Sequence, residues 1–192
     1  MLRKQNLGLA RARRRSRAGF SLVEIVVAGL VLAIAVCGMS GSMVSAVAVN
    51  RVNRETALAQ EAVQRQMELL QGTLFEETFR RFNTNPNDDP GVAGTAPGAN
   101  FAVFGLDVTD GDADGRAGQI EFPTLDVAGV LQLREDVVDL TLGMPRDLNG
   151  SGTTDALDHA NDYRLLPVRV RVQWRGVAGP RTLTAEGMLA AR

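Results

Sequence analysis

Residues 20–49, FSLVEIVVAGLVLAIAVCGMSGSMVSAVAV, run for thirty positions with a single charged side chain, Glu24. As a helix this stretch spans about 45 Å at a rise of ~1.5 Å per residue, more than the roughly 30 Å of hydrocarbon in a bilayer. Its richest part, Ile25 to Met39, is long enough to anchor a chain, and the serines from Ser40 to Ser45 weaken the far end. Such a surface must be covered by lipid or by another apolar surface, and everything downstream has to fold around that requirement.

Charge is distributed to match. Seven basic residues (Arg3, Lys4, Arg11, Arg13, Arg14, Arg15 and Arg17) lie within residues 1–19, which hold no acid. The whole chain has a net charge of −1, so the part from residue 20 onward carries −8. A basic run ahead of an apolar helix predicts a cytoplasmic N-terminus, with the C-terminal part outside the cytoplasm. The run reads as the flank of a membrane helix and not as a nucleic-acid arm, and the acidic remainder disfavours general nucleic-acid affinity. A secretory signal peptide has an apolar core of roughly 7–15 residues before a small-residue cleavage site; this run is far longer. An ordinary signal anchor explains the length but not Glu24: a carboxylate in hydrocarbon costs up to ~3 kcal/mol near the bilayer centre and less near an edge, which makes Glu24 a functional candidate, with a tolerated interfacial glutamate as the rival reading.

Gly19-Phe20-Ser21-Leu22-Val23-Glu24, behind a basic leader and ahead of a long apolar helix, resembles the class III signal of type IV pilins and type II secretion pseudopilins. The likeness covers about residues 11–45, and it is specific because leader, cut site, carboxylate spacing and apolar helix coincide. It implies cleavage by a prepilin peptidase after Gly19, N-methylation of Phe20 as the mature N-terminus, and an assembly role for Glu24. It also implies a structural, non-enzymatic subunit of the bacterial inner membrane, most like a minor pilin. Its partners would be other pilin or pseudopilin subunits, the inner-membrane assembly machinery and membrane lipid, with a periplasmic or extracellular head. Cleavage would leave a free amine, with a reference pKa near 8, at the start of the helix. Glu24 would sit in the early turns, where the positive end of the helix dipole favours an anion. In a filament, a neighbour's Phe20 amine would neutralise it.

Four segments follow: the leader 1–19, the transmembrane and assembly helix 20–49, an amphipathic continuation 50–82 and a β-rich head 83–192. In the continuation, Val52, Thr56, Ala59, Val63, Met67, Leu70 and Leu74 recur at spacings of three and four, which predicts a helix face packed on the head. Phe75, Phe79 and Phe82 close it. Gly29, Gly38 and Gly41 leave two readings for the apolar helix, close helix packing or local unwinding. Residues 83–100 read as a loop. Strands are expected at Phe101–Leu106 and Val137–Leu142, and most clearly at Val168–Trp174. There Val168, Val170, Val172 and Trp174 point one way and Arg169, Arg171 and Gln173 the other. A turn at Gly176–Pro180 leads into Arg181–Leu189, with Leu183, Ala185 and Leu189 on one face. The expected class is α+β, pilin-like, with a long N-terminal helix packed on a small antiparallel sheet.

Two acidic loops carry the spacing of oxygen ligands that calcium takes in six- to eight-fold cages. In the first, Asp110, Asp112, Asp114 and Glu121 supply carboxylates, Arg116 a backbone carbonyl and Gly118 at most a water. In the second, Asp147, Asn149, Ser151, Thr153, Asp155 and Asp158 repeat the pattern more weakly. Calcium is therefore a candidate ligand of the head, though none is required, and the rival reading is two solvated Asp/Gly turns; the alternative to a filament subunit is a non-assembling, membrane-anchored, calcium-stabilised binding module. Nothing in the sequence requires catalysis. The single histidine, His159, leaves out most zinc sites. It could pair with Asp155, Asp158 or Asp162 as a base, but in an acidic loop it reads as a solvated residue. Cys37, within the apolar run, reads as packing and not as a nucleophile. No phosphate loop or dinucleotide fingerprint is present.

Overall fold

The computed structural model describes residues 19–191; the leader up to residue 18 lies outside the described residues. The chain is α+β, as expected, and divides into two compact units between Ala46 and Val47.

In the first unit, helix α1 (Leu22–Gly72) begins two residues after Phe20, and Glu24 lies in its first turn. The helix contains a window long and apolar enough to cross a membrane, and none of that window is buried. The Ser40, Ser42 and Ser45 hydroxyls donate to the carbonyls of Val36, Gly38 and Gly41 at 2.9–3.2 Å. Their polar groups are thereby satisfied inside the helix, as an apolar surround demands. The helix runs unbroken through Gly29, Gly38 and Gly41, so those glycines do not unwind it.

The second unit holds the rest of α1, a short helix α2 (Phe75–Phe82) and two antiparallel sheets. The helix does not continue through residue 82. It stops at Gly72, where Thr73 donates back to the Leu70 carbonyl at 3.3 Å, and α2 starts afresh with Phe79 and Phe82 fully buried. The buried stripe of α1 is Glu55, Ala59, Val63, Gln66 and Leu70. Compared with expectation the centre of the face has turned by one residue at two places. Glu55 and Gln66 replace Thr56 and Met67, which flank it half-buried, and Leu74 is exposed.

The main sheet has the order β1 (Asn100–Phe101), β2 (Gly118–Glu121), β5 (Leu165–Gly176), β6 (Gly179–Ala190), all antiparallel. Strands β3 (Thr124–Val127) and β4 (Val130–Leu133) form a separate hairpin. Strand β5 contains the alternation expected at Val168–Trp174. Val168, Val170 and Val172 are fully buried and Trp174 nearly so, packed in one core with Ala59, Val63, Leu70, Phe79 and Phe82. The C-terminal hairpin forms with Gly176 opposite Gly179, and Leu183, Ala185 and Leu189 face the core.

Two expected strands are not formed. Phe101–Leu106 pairs only through Phe101, after which the chain turns at Gly105 (φ +88°) and leaves Phe104 in solvent. Val137–Leu142 ends in a 3₁₀ turn over Leu140–Leu142, because the Asp139 carboxylate accepts from the Thr141 and Leu142 N–H groups at 3.1 and 3.2 Å. A side chain that satisfies the backbone locally removes the reason to join a ladder. Strand β2 and the β3–β4 hairpin were not expected from the sequence.

The outer face of β5 carries a charge ladder. Arg169 lies opposite Glu121 on β2 and Glu186 on β6, and also reaches Asp139 at 2.9 Å. Arg171 pairs with the same Glu121. Opposed charges in register are the sheet's equivalent of helix i,i+4 pairs. The Asp139 carboxyl is held below the usual aspartate range, first by the Thr141 hydroxyl and then by the Leu142 N–H and Arg169, against the opposing effect of partial burial.

Two expectations follow. A lowered folded pKa gives a contribution that is present above the ordinary aspartate value and lost as pH falls through the folded one. Thermal midpoints of the full chain should therefore drop as pH falls below the ordinary aspartate value, and D139N should make that limb shallower; an identical limb in D139N would refute the assignment. At Gly118 an added Cβ would lie 2.2–2.5 Å from the Phe101 ring, which covers that glycine. Gly118→Ala should lower unfolding stability by about 1–3 kcal/mol through overpacking, read by denaturant titration, and F101A in the same chain should recover part of the loss.

Candidate functional site

Histidine and carboxylates converge where the segment after β4 meets the long loop between the 3₁₀ turn and β5. Glu135 is fully buried, and both of its oxygens accept from backbone. Oε1 takes the Leu148 and Asn149 N–H groups at 2.7 and 3.2 Å, and Oε2 takes the Asp155 N–H at 3.1 Å. Its own carbonyl accepts from Arg146. One acid thus holds the loop closed over residues 146–155. A buried carboxylate is tolerated when its oxygens are hydrogen-bonded in this way.

His159 sits against that carboxylate. It is 2 % exposed, so the expectation of a solvated histidine is overturned. Burial follows from its backbone, since the His159 N–H donates to the Leu133 carbonyl at 2.9 Å and draws the residue under β4. Nε2 lies 3.1 Å from Asp155 Oδ1 and 3.7 Å from Glu135 Oε1. Nδ1 lies 3.0 Å from Asp162 Oδ1. Asn149 Nδ2 donates to Asp162 Oδ2 at 3.1 Å and lies 3.4 Å from Nδ1. Burial alone would pull the imidazolium pKa down; hydrogen bonds to Asp155 and Asp162, with the Glu135 charge behind them, outweigh it and raise it.

Of the pairings considered for His159 in the sequence, Asp155 and Asp162 are made. Asp158 turns instead to backbone, accepting from Leu133 and Ala160. Among the described residues, Glu135, Asp155 and His159 form the one group of three whose potential ligand atoms all lie within 4.8 Å of one another. Glu135 was not anticipated: nothing local in Leu133-Arg134-Glu135-Asp136 separates it from a solvated acid. The spacing Asp155–His159–Asp162 was visible and marks the rest of the cluster.

The two calcium-spaced loops are arranged as follows. Asp147 accepts from the Gly150, Ser151 and Gly152 N–H groups at 2.7–3.1 Å, which holds its carboxyl below the usual range. Asn149 Oδ1 accepts from Ser151, and the Ser151 hydroxyl donates to the Thr153 carbonyl. In the first loop, Asp112 and Asp114 accept from the N–H groups of Asp114 and Arg116, and Asp110 pairs with Arg175. Arg116 itself reaches the Asn100 carbonyl. Glu121 is on β2, where its carboxylate pairs with Arg169 and Arg171.

The positions marked by the N-terminal signal belong to the first unit. Gly19 and Phe20 are exposed ahead of α1, and Glu24 is exposed in its first turn. Compared with protein-family models, curated proteins and solved structures, the chain matches none.

Glu135→Gln tests the buried acid. Both carboxylate oxygens accept from N–H groups, so an amide must turn a donor toward a donor. The expected cost is about 1–3 kcal/mol, measured by unfolding the full chain in chelator-containing buffer. An unchanged midpoint would show that Glu135 does not hold the loop.

Proposed function

We propose that this chain is a structural subunit of a type IV pilus or type II secretion filament, a minor pilin or pseudopilin. It is inserted as a prepilin in the bacterial inner membrane with its N-terminus cytoplasmic. A prepilin peptidase cuts it after Gly19, Phe20 is N-methylated, and the apolar half of α1 carries it into the filament. The second unit is the periplasmic or extracellular head, and it is not an enzyme.

The observation that carries this reading is the combination at the N-terminus. The apolar side chains from Phe20 to Val44 are exposed within their own chain, and the lone acid of that surface falls in the first helical turn, five residues after the proposed cut. The apolar surface needs lipid or neighbouring helices, and the acid needs a positive partner. A methylated Phe20 amine on an adjacent subunit supplies the charge, and because Glu24 lies four residues after Phe20, about one helical turn, the two helices must be staggered by about that much. The helix dipole and the amine then both favour an ionised Glu24.

Membrane-extracted native protein should have the mass of a chain beginning at N-methylated Phe20. A chain retaining residues 1–19 in cells with an active prepilin peptidase would overturn the proposal. Glu24→Leu should still insert and be cut, yet be lost from sheared filaments by at least tenfold. Undiminished incorporation would reduce Glu24 to a tolerated charge and leave the chain as an anchored module.

A further inference from the structure

We propose that Glu135, Asp155 and His159 form a structural binding site for one divalent first-row transition ion of the zinc class. The inference concerns the head alone and stands or falls independently of filament assembly.

The argument starts from the imidazole. An imidazole in the low-dielectric interior needs each nitrogen matched to a partner of the right kind. Here both nitrogens face carboxylate oxygens, Nε2 toward Asp155 and Glu135 and Nδ1 toward Asp162. The neutral ring carries one N–H. If Nδ1 holds it and donates to Asp162, the Nε2 lone pair, in a side chain 2 % exposed, faces two carboxylate oxygens. The opposite tautomer leaves the Nδ1 lone pair against Asp162. Either a second proton on the ring, donating to Asp155, or a cation at Nε2 resolves the conflict. The neighbouring cation does not provide it, since Arg134 is committed to Asp136 at 2.6 Å. One proton on the ring would give a single positive charge among three carboxylates, whereas a divalent ion at Nε2 balances Glu135 and Asp155 outright.

Geometry fits the ion. With metal–nitrogen and metal–oxygen bonds of 2.0–2.2 Å, two ligand atoms of a tetrahedral zinc lie about 3.4 Å apart. The Nε2 separations from Asp155 Oδ1 and Glu135 Oε1, 3.1 and 3.7 Å, bracket that value. The three side chains leave a fourth position for water. Asp162 and Asn149 supply the outer layer expected of a metal-bound histidine: Asp162 receives the Nδ1 proton, and Asn149 holds Asp162 by its other oxygen. Imidazole nitrogen with two carboxylates selects zinc or a near neighbour over calcium, which prefers six to eight oxygens. The role is that of a staple. It would tie the segment after β4 to two points of the long loop, in a chain whose only cysteine, Cys37, lies in α1.

Full-length protein in detergent micelles, stripped with chelator, is titrated with Zn²⁺ against a chromophoric competitor, with Mn²⁺ and Ca²⁺ in parallel. The expected result is one Zn²⁺ per chain with a raised thermal midpoint. His159→Gln and Asp155→Asn should each abolish stoichiometric uptake, and Asp162→Asn, a positioning change, should weaken it by about 10–100-fold. Nitrogen NMR of the imidazole should show a metal-bound Nε2 beside a protonated Nδ1. The proposal is overturned if wild-type protein takes up no Zn²⁺, or if uptake is the same in both ligand variants. It is also overturned if Ca²⁺ binds more tightly with the same residue dependence, or if both nitrogens stay protonated under excess Zn²⁺. Should His159→Gln fail to fold, Asp155→Asn decides alone, because that side chain is already 38 % exposed.

Discussion

Strand β5 is the constraint on which the head depends. It is paired on both sides, by β2 and β6, and its apolar face of Val168, Val170, Val172 and Trp174 meets the α1 stripe and the α2 phenylalanines in one core. Each fully buried Val or Leu is worth roughly 1.5–3 kcal/mol, so no other element concentrates as much of the burial. The opposite face of the same strand positions the acids. Arg169 gathers Glu121, Asp139 and Glu186, and through Asp139 it fixes the 3₁₀ turn that launches the long loop back toward Glu135. One twelve-residue strand thus organises the core on one side and the charged surface on the other.

The long loop between the 3₁₀ turn and β5 is ordered by polar contacts more than by burial of apolar side chains. Leu148 and Tyr163 enter the core, but between them the chain is held by Asp147, Asn149, Asp155 and Asp158 accepting backbone N–H groups. Glu135 closes the arrangement from outside the loop. A loop of this length without secondary structure costs much conformational entropy to fix. The dense side chain-to-backbone bonding, and the buried imidazole at its centre, offset that cost.

What could be read in the sequence depended on how far each signal extends along the chain. Membrane-helix length, the position of Glu24 and the alternation in Val168–Trp174 are local patterns, and the helix and strand they imply are present. The α1 stripe was located to within one residue, because Glu55 and Gln66 are polar side chains on a buried face. Strand β2 was hidden, since Gly118-Gln119-Ile120-Glu121 alternates over only four residues and opens on a glycine, and it gains its ladder from β5. The expected strands at Phe101–Leu106 and Val137–Leu142 failed at Gly105 and Asp139, where local turn chemistry prevailed. In the candidate site the Asp155–His159–Asp162 spacing was legible. Glu135, twenty residues upstream of Asp155, was not, because its burial is decided by the return of the loop.

The placement of β5 and β6 at the end of the chain also sets an order of events. Ala59, Val63 and Leu70 share a core with Val168, Val170 and Leu189, roughly one hundred residues later in the chain. Contacts so distant in sequence form late. The amphipathic half of α1 therefore leaves the ribosome long before the strand that covers it exists. Until Leu189 has been synthesised its apolar stripe is uncovered, and the last hairpin acts as the latch of the whole head. A nascent chain of this design is most exposed to aggregation and proteolysis in the interval between those two stretches.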